Sequence, residues 1–514
     1  MTSSAIRNAF QTYRRLFATS VAPHSVALDH HRNFDIKDQA ELRNETLLRR
    51  LLRLVYTRKS AVEEIKKWME EGHKVQKSQL NRIIRELRKN KRFDHALEIC
   101  DWRAEQKQLR LFPGDYAVHM DLVAKVRGFH CAEKFFEDLP EQMKGRETHT
   151  TLLHMYCQNK MVDESEALMK KMSQLGILTN TLPFNHMLVL YISTGRMEKL
   201  SDVMRELKKT SAADLITYNL LLSASSSNGD VNGAEKLFVK MRKEKIDPDW
   251  ISFSTMASIY IKDKQNEKAF STLEIMETLL VRSNRAAYSS LISLNTSIGD
   301  TNGVKRIWKE MRFIYRKLNN SEYICMISSL LKLQAYEEAE IVYREWESET
   351  GLLNPRVCNL MLDSYINKGE FEKAENFHMG MIEKGIRSSY FTWEILASGS
   401  LKRNQMGKAL EYIERAIDSV KKWDFDENLV GNVAGKLEEL GDIEGAEKLL
   451  SLVGKAGHKS TKMYNFLLRT YNKAGRMPLI VSERMKIDNV ELDEETNSLI
   501  RSTSRLCVSD LSSY

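Results

Sequence analysis

Small polar side chains recur along this chain of 514 residues at intervals of 34 or 35 residues or a multiple of them. Six of them occupy the same place in successive segments: Thr150, Asn185, Asn219, Ser254, Ser289 and Asn359. A row of such groups on one surface can hydrogen-bond the bases of a single strand, one residue to one base. The alternative is that they cap helices or face solvent, as asparagine, serine and threonine often do near a helix start.

Patterns that signal catalysis or a bound metal are weak or absent. The chain contains no G-x₄-G-K-[ST], no H-E-x-x-H and no G-x-G-x-x-G pattern. His154 and Cys157 share one predicted helix face close to His149, but a fourth metal ligand at a suitable spacing is missing. We therefore interpret these three residues as helix packing, and we expect no metal, no cofactor and no enzymatic activity.

The elements that must position the polar column are predicted to be helices. Proline occurs 7 times and glycine 23 times, both below their usual shares of about 5% and 7%, and both residues disfavour helix interiors. No apolar run approaches the roughly 18 residues that cross a bilayer, so no membrane insertion is expected. The six cysteines form no C-x-x-C pair, which indicates a reducing compartment.

A string of 35 residues, Leu215–Asp249, sets the register of an internal repeat. Shifting it along the chain recovers an aromatic residue at the fourth place, glycine at the fifteenth, alanine at the twentieth and methionine at the twenty-seventh. The pattern predicts a helix, a left-handed glycine that ends it, and a second helix. We name each repeat by its first residue: 77, 114, 146, 181, 215, 250, 285, 320, 355, 390, 427 and 461.

The predicted fold is all-α. About twelve helix-turn-helix repeats of 34–36 residues stack into a right-handed α-solenoid superhelix, because each repeat buries its apolar face only on its neighbours. Tetratricopeptide repeats have a similar period, but their W-x₂-L-G-x₂-Y pattern occurs in no repeat here.

The repeats resemble the pentatricopeptide repeat of plant organelle proteins, including the T-Y-N start and the P-D end of Leu215–Asp249. The resemblance is close over 146–389 and looser over 77–145 and 390–495, and the uniform repeat length resembles the P-type subclass. We expect no cytidine-deaminase-like extension of the kind that some members carry, since no H-x-E and no C-x-x-C occurs.

The resemblance implies that the fifth and last residues of each repeat read one base of a single-stranded RNA. Adenine is expected for three pairs, uracil for two and cytosine for one. The pairs are Thr150 with Asn180, Ser254 with Asn284 and Ser289 with Asn319 for adenine, Asn185 with Asp214 and Asn219 with Asp249 for uracil, and Asn359 with Ser389 for cytosine. The expected target is A-U-U-A-A-any-C, 5′ to 3′.

Several repeats depart from this pattern. In the pair of Ile324 with Asn354 the fifth residue is apolar and cannot hydrogen-bond a base. The fifth residues Glu394 and Gly431 also depart from the pattern. Asn465 has a suitable side chain, but the partner expected from repeat length, Glu495, does not match. The resemblance further implies that apolar second residues insert between bases: Leu182, Ile216 and Ile251.

The two ends of the chain and its charge complete the organisation. Residues 1–28 contain three arginines and no acid, which is typical of an organelle transit peptide. We predict the mitochondrial matrix, with the plastid as the alternative. A basic helical cap over 29–76 and a tail over 496–514 flank the repeats. The basic excess behind the net charge of +8 lies wholly before residue 93, where a basic segment over 82–92 could follow phosphates or be a solvated helix face.

Two functions remain open from these residues. The first is a non-catalytic, sequence-specific single-stranded RNA-binding protein of organelle RNA metabolism, acting in transcript stabilisation, processing, splicing or translation. The second is an architectural, protein-binding solenoid, such as a component associated with the mitochondrial ribosome or with other RNA-processing proteins. The near-neutral charge of the array favours the second.

Overall fold

The computed structural model describes residues 46–54, 59–106, 108–280, 284–350, 354–420, 426–476 and 480–511. The predicted transit peptide, 1–28, and the first part of the predicted cap lie outside these residues. The chain divides between Leu279 and Leu280 into two compact bodies, which we call the N-terminal body and the C-terminal body.

The described residues contain 27 α-helices and no strand, which confirms the all-α prediction. The N-terminal body contains α1 (Leu47–Arg53), α2 (Ala61–Glu70), α3 (Lys77–Lys89), α4 (Phe93–Glu105), α5 (Pro113–Arg127), α6 (Phe129–Glu137), α7 (Arg146–Gln158), α8 (Val162–Gln174), α9 (Leu182–Thr194), α10 (Leu200–Thr210), α11 (Leu215–Asn228), α12 (Val231–Lys243), α13 (Trp250–Lys262) and α14 (Asn266–Thr278). The C-terminal body contains α15 (Arg285–Ile298), α16 (Thr301–Ile314), α17 (Asn320–Lys332), α18 (Tyr336–Thr350), α19 (Pro355–Asn367), α20 (Phe371–Glu383), α21 (Tyr390–Lys402), α22 (Met406–Asp418), α23 (Glu427–Leu440), α24 (Ile443–Lys455), α25 (Thr461–Lys473), α26 (Val481–Ile487) and α27 (Glu494–Leu511). Two 3₁₀ turns, Glu141–Met143 and Met197–Lys199, precede α7 and α10.

The predicted repeats correspond to twelve helix pairs, from α3 with α4 to α25 with α26. Within each body the first helix of a repeat packs on its own second helix and on the first helix of the next repeat, as α11 does on α12 and α13. This stacking is that of an α-solenoid. Part of the predicted C-terminal tail is the helix α27, which packs on α25 as the first helix of a thirteenth repeat would.

The repeat columns are explained by local backbone and packing. The six glycines at the fifteenth place have φ angles between 64° and 81°, the left-handed region that suits glycine at a helix end. The fourth-place aromatics Tyr218, Tyr288 and Tyr323 are buried between helices. Ala234 and Met241 are fully buried on α12, which confirms that small and flexible residues fill the contact between the paired helices.

Neighbouring repeats are also joined by a recurring polar contact that the sequence analysis did not predict. Glu235 accepts hydrogen bonds from Tyr260 at 3.1 Å and from Lys268 at 2.8 Å, which lie 25 and 33 residues further on. Glu166 and Glu340 make the same contacts with a tyrosine and a lysine at the same separations. These glutamates on second helices therefore help to align each repeat with the next one.

The described part of the cap is docked on the first repeat. The Arg92 guanidinium donates to the backbone oxygens of Leu51 and Leu54 at 3.2 and 3.1 Å. The backbone N–H of Ala61 donates to Glu98 at 2.9 Å. These contacts and the buried Leu47, Leu51 and Ile65 continue the apolar core of the N-terminal body over its first repeat.

Candidate nucleic-acid interface

The predicted reading residues lie on the first helices of the repeats and at the junctions between repeats. Asn185, Asn219 and Asn359 stand on α9, α11 and α19. Their predicted partners Asp214, Asp249 and Ser389 are the N-cap residues of α11, α13 and α21, the first helices of the following repeats. Because each first helix packs on the next, the N-cap of one repeat meets the fifth residue of the repeat before it.

The structure brings Asn185 and Asp214 together with a third residue, Thr217. The Thr217 hydroxyl lies 2.8 Å from Asn185 Oδ1 and 2.7 Å from Asp214 Oδ1. Asn185 Nδ2 lies 3.4 Å from the same Asp214 oxygen, and the Thr217 backbone N–H donates to it at 2.8 Å. We call this arrangement of fifth residue, N-cap and third residue of the next repeat a junction triad.

The junction triad recurs in two further predicted pairs. In Asn219, Asp249 and Ser252 the amide nitrogen lies 3.1 Å from the carboxylate, and the Ser252 hydroxyl donates to Asn219 Oδ1 at 2.6 Å. In Asn359, Ser389 and Thr392 the corresponding distances are 3.4 and 2.9 Å.

The hydroxyl of the triad determines how the asparagine amide is oriented. Since Thr217 occupies the carbonyl oxygen of Asn185, the amide nitrogen must face Asp214 and keeps one further N–H for a ligand. Asn185 and Asn219 are each only 1% exposed, whereas Asp214 and Asp249 are half-buried. The N-cap carboxylate is therefore the more accessible group of each pair, and the asparagine lies at the bottom of the junction.

The carboxylate of Asp214 is held in its charged form. Burial raises the pKa of Asp214, but the hydrogen bonds from Thr181 and Thr217 outweigh this and lower the pKa below its ordinary value. Thr181 Oγ1 lies 2.5 Å from Asp214 Oδ2. At neutral pH the Asp214 carboxylate can only accept hydrogen bonds, whereas the Ser389 hydroxyl at the equivalent position can also donate one.

The three pairs predicted to read adenine are built differently. The hydroxyls of Thr150 and Ser289 donate to backbone oxygens of their own helices, at Arg146 and Arg285, at 2.7 and 3.3 Å. Asn319 caps α17. Ser254 lies on α13 of the N-terminal body, and Asn284 caps α15 of the C-terminal body.

The 181 repeat is shifted by one residue. Its first helix begins at Leu182 with Thr181 as N-cap, so Asn180 precedes the cap and accepts from the Leu182 backbone N–H at 3.2 Å. Asn354 of the departing pair with Ile324 is an ordinary N-cap that accepts from the Arg356 backbone N–H at 3.0 Å.

The apolar second residues differ in exposure. Leu182 is 36% exposed, Ile216 is half-buried, and Ile251 is 9% exposed and packs in an apolar cluster with Leu221 and Ala224. Leu182 thus has the surface that insertion between bases requires, and Ile251 has least of it. The role of these three residues stays a prediction.

Some basic residues of the segment 82–92 are exposed, and others bind other parts of the protein. Arg82 and Arg85 are exposed on α3, whereas Arg92 holds the cap. The Arg88 guanidinium and the Lys125 ammonium both contact Asp121 Oδ2, at 2.7 and 2.6 Å. Arg88, Asp121 and Lys125 border a cavity of about 390 Å³ that also reaches Thr150, the first predicted reading residue.

The histidine and cysteine group of α7 is used in packing. His154 Nδ1 lies 3.3 Å from His186 Nδ1, and the Cys157 thiol donates to the Ser165 hydroxyl at 3.7 Å. Burial lowers the pKa of His154, and it lowers that of His186 well below the ordinary value. Among the described residues no three His, Cys, Asp or Glu side chains cluster as metal ligands would, and no helix there is long and apolar enough to cross a membrane.

The third-place hydroxyl was missed by the sequence analysis. Its signal is nevertheless present, because Thr217, Ser252 and Thr392 each stand three residues after an Asp or Ser N-cap. The repeats capped by Asp426 and Ser460 hold the apolar Leu429 and Met463 at that place. In the 320 repeat this place holds Glu322, which is buried and binds Arg285 at 2.8 Å. The combination of an Asp or Ser N-cap with a hydroxyl three residues later therefore distinguishes the junction triads, since Thr148 follows the N-cap Gly145 and forms none.

Fold and site together define a helical-repeat protein that presents one polar side-chain group at each of three repeat junctions. The PPR repeat family profile matches residues 213–259, and the PPR repeat profile matches 147–177 and 356–386. The chain is 51% identical over 469 residues to the Arabidopsis thaliana pentatricopeptide repeat-containing protein At4g02820, mitochondrial, covering 91% of this chain and 88% of that protein. The chain therefore belongs to the pentatricopeptide repeat family.

Two other comparisons agree with this assignment. The Arabidopsis thaliana pentatricopeptide repeat-containing protein At5g27460 is 33% identical over 89% of this chain and 94% of its own length. The chain is also similar to the maize pentatricopeptide repeat protein PPR10, in its crystal structure in complex with an 18-nt psaJ RNA element. The sequence identity is 16% and the TM-score is 0.53. That match covers 86% of this chain and 68% of PPR10, and it supports the fold.

Proposed function

We propose that this protein binds single-stranded RNA in a sequence-specific, non-catalytic manner and acts in organelle RNA metabolism in the mitochondrial matrix. The observation that carries the proposal is the junction triad, which places one oriented asparagine amide and one N-cap residue at each of three repeat junctions. The RNA-bound structure of PPR10 and the mitochondrial name of the relative At4g02820 support it. The uniform repeat length over 146–389 supports the P-type subclass.

The chemistry of the triads explains a choice between the two pyrimidines. A charged Asp214 or Asp249 accepts the N3–H of uracil and repels the N3 lone pair of cytosine, while the free asparagine N–H donates to a base carbonyl. Ser389 replaces the carboxylate by a hydroxyl that can donate to the cytosine N3. The triads thus favour uracil, uracil and cytosine at the 181, 215 and 355 repeats.

The remaining readers favour adenine. Asn284 and Asn319 are N-caps whose amide donor and acceptor match the adjacent amine and ring nitrogen of adenine. Asn180 offers the same groups one residue before the N-cap Thr181. One base for each repeat then gives A-U-U-A-A-any-C.

Competitive binding to short RNAs tests the proposal. The chain is expected to bind AUUAAGC at least tenfold more tightly than the permuted CAAGUAU, since several hydrogen bonds of about 1 kcal/mol each are lost together. Equal affinity for the two RNAs, or none for either, contradicts sequence-specific binding.

A protein-binding function is favoured by a separate observation. Large apolar side chains are exposed on second helices, with Phe313 85%, Val239 52% and Ile341 52% exposed, and the repeats after residue 92 carry a net charge of about −3. Co-sedimentation with mitochondrial ribosomes that survives nuclease treatment is the outcome that would favour this function.

A further inference from the structure

A fourth junction triad lies in the C-terminal body, in a repeat that length counting rejects. The Thr496 hydroxyl donates to Asn465 Oδ1 at 2.6 Å and lies 2.7 Å from Asp493 Oδ1. Asn465 Nδ2 is 3.2 Å from both carboxylate oxygens of Asp493. The Thr496 backbone N–H donates to Asp493 Oδ1 at 2.7 Å, as that of Thr217 does to Asp214.

The partner of Asn465 is therefore Asp493 and not Glu495. The helix α27 begins at Glu494, so the 461 repeat ends two residues earlier than a 35-residue count places its end. Glu495 lies within the first turn of α27, where its carboxylate binds Arg469 at 2.5 Å. Its other oxygen is 3.4 Å from Asn465 Nδ2, a longer contact than those with Asp493.

The fourth triad matches the two uracil-type triads in more than its residue types. Asn465 is 2% exposed, beside 1% for Asn185 and Asn219. The hydrogen bonds from Thr496 and Asn465 lower the pKa of Asp493 below its ordinary value. Asp493 is itself exposed, so its carboxylate is more accessible to a ligand than that of Asp214 or Asp249.

Two repeats separate this triad from the cytosine-type triad of Asn359 and Ser389. Their fifth residues are Glu394 and Gly431, which offer no amide or hydroxyl to a base. We propose that Asn465, Asp493 and Thr496 form a further base-recognition site that selects uracil, two unread nucleotides beyond the cytosine. This inference rests on the proposed RNA binding and extends the target to A-U-U-A-A-any-C-any-any-U.

Competition among four RNAs tests the site directly. The full chain is titrated with AUUAAGCGGU and with the three variants that end in A, C or G. The RNA ending in U is expected to bind about fivefold to twentyfold more tightly, as a hydrogen bond to a charged group is gained. The double variant Asn465→Ser with Asp493→Asn is expected to move the preference from U to A, because its pair then equals Ser289 with Asn319.

Glu495→Gln is the matched control, since it weakens the contact with Arg469 and leaves the triad in place. It is expected to keep the preference for U. Asp493→Ser keeps a capping side chain and is expected to move the preference from U to C. This single variant still tests the site if the double variant does not fold. If all four RNAs bind equally while AUUAAGC is still preferred over CAAGUAU, the further site is wrong and the proposed function stands. Loss of that preference as well overturns the proposed function.

Discussion

The hydroxyl of Thr217 donates to the amide oxygen of Asn185 at 2.8 Å, across 32 residues of sequence and the junction of two repeats. This hydrogen bond connects helix capping with the orientation of a proposed base-reading side chain. The residue that completes the N-cap of α11 also orients the amide that faces Asp214. The contacts that stack the repeats therefore also position the side chains that we propose to read bases.

Replacing Thr217 by valine tests the orienting role of the hydroxyl. Thr217→Val preserves the shape but leaves the buried Asn185 oxygen without its donor, which is expected to cost about 1–3 kcal/mol of the free energy of unfolding. The side-chain amide of Asn185 can then rotate by about 180° and exchange its oxygen and nitrogen. Discrimination for U at the second position of the target should therefore fall about fivefold or more. Denaturant unfolding and competition binding measure the two effects.

Thr194→Val is the control for this change. The Thr194 hydroxyl donates to the Leu190 backbone oxygen of its own helix at 2.8 Å and lies outside the triads. It should leave base preference unchanged. An unaltered preference in Thr217→Val as well would show that the hydroxyl does not orient the reader.

Exchanging the N-cap residues is expected to exchange the preferred pyrimidine. Asp214→Ser creates the Asn and Ser pair of the 355 repeat and should change the second target position from U to C. Ser389→Asp should change the seventh position from C to U. Both residues are good N-caps, so stability should change by less than about 1 kcal/mol.

Binding constants for RNAs that differ at only one position measure this exchange. A shift of about tenfold corresponds to roughly 1.4 kcal/mol. Each variant serves as the other's control, because its RNA preference should stay unchanged at the position that was not altered. Loss of affinity without a change of preference would contradict the role of the N-cap in base choice.

Acidification is expected to destabilise the N-terminal body through His186. Burial keeps this histidine neutral in the folded state, with a pKa well below 6.5, and it lies against His154, whose pKa burial also lowers. The unfolded chain takes up the proton below about pH 6.5, so the folded state loses about 1.4 kcal/mol per further pH unit for each such residue. Carboxylates such as Asp214 titrate below this window.

Unfolding at pH 7.5 and 5.5 measures the effect. His186→Leu removes a titrating group and should reduce the difference in unfolding free energy between the two pH values, even where the variant is less stable at both. Thr194→Val provides the control, as it alters no titrating group and should leave the difference unchanged. A difference that His186→Leu does not alter would contradict the prediction.

Gly229 tests the left-handed helix end. Its φ of 69° disfavours any side chain, although a Cβ there would meet no atom within 4 Å. Gly229→Ala should therefore destabilise the protein by about 1 kcal/mol through the backbone alone. Gly114, within α5 and equally uncrowded, has no positive φ, so Gly114→Ala should be neutral or stabilising. Thermal unfolding of the two variants and of the unaltered protein measures the difference.

The family, the helical repeats and the contacts within three of the six predicted pairs follow from the sequence alone. Period and helix-end signals are local, and they survive because every repeat packs against a near copy of itself. The glycine column and the buried Ala and Met columns of the structure agree with this. The N-cap positions Asp214, Asp249 and Ser389 were predicted as last residues of their repeats for the same reason.

Only the tertiary structure decided which polar residues meet. Counting 35 residues from Thr461 selects Glu495, but the first turn of α27 places Asp493 against Asn465 and turns Glu495 towards Arg469. The shift of the 181 repeat to Leu182 and the hydroxyl of Thr217 are of the same kind. Sequence spacing measures length along the chain, whereas a hydrogen bond between repeats depends on where each helix begins, and a change of one or two residues there changes the partner.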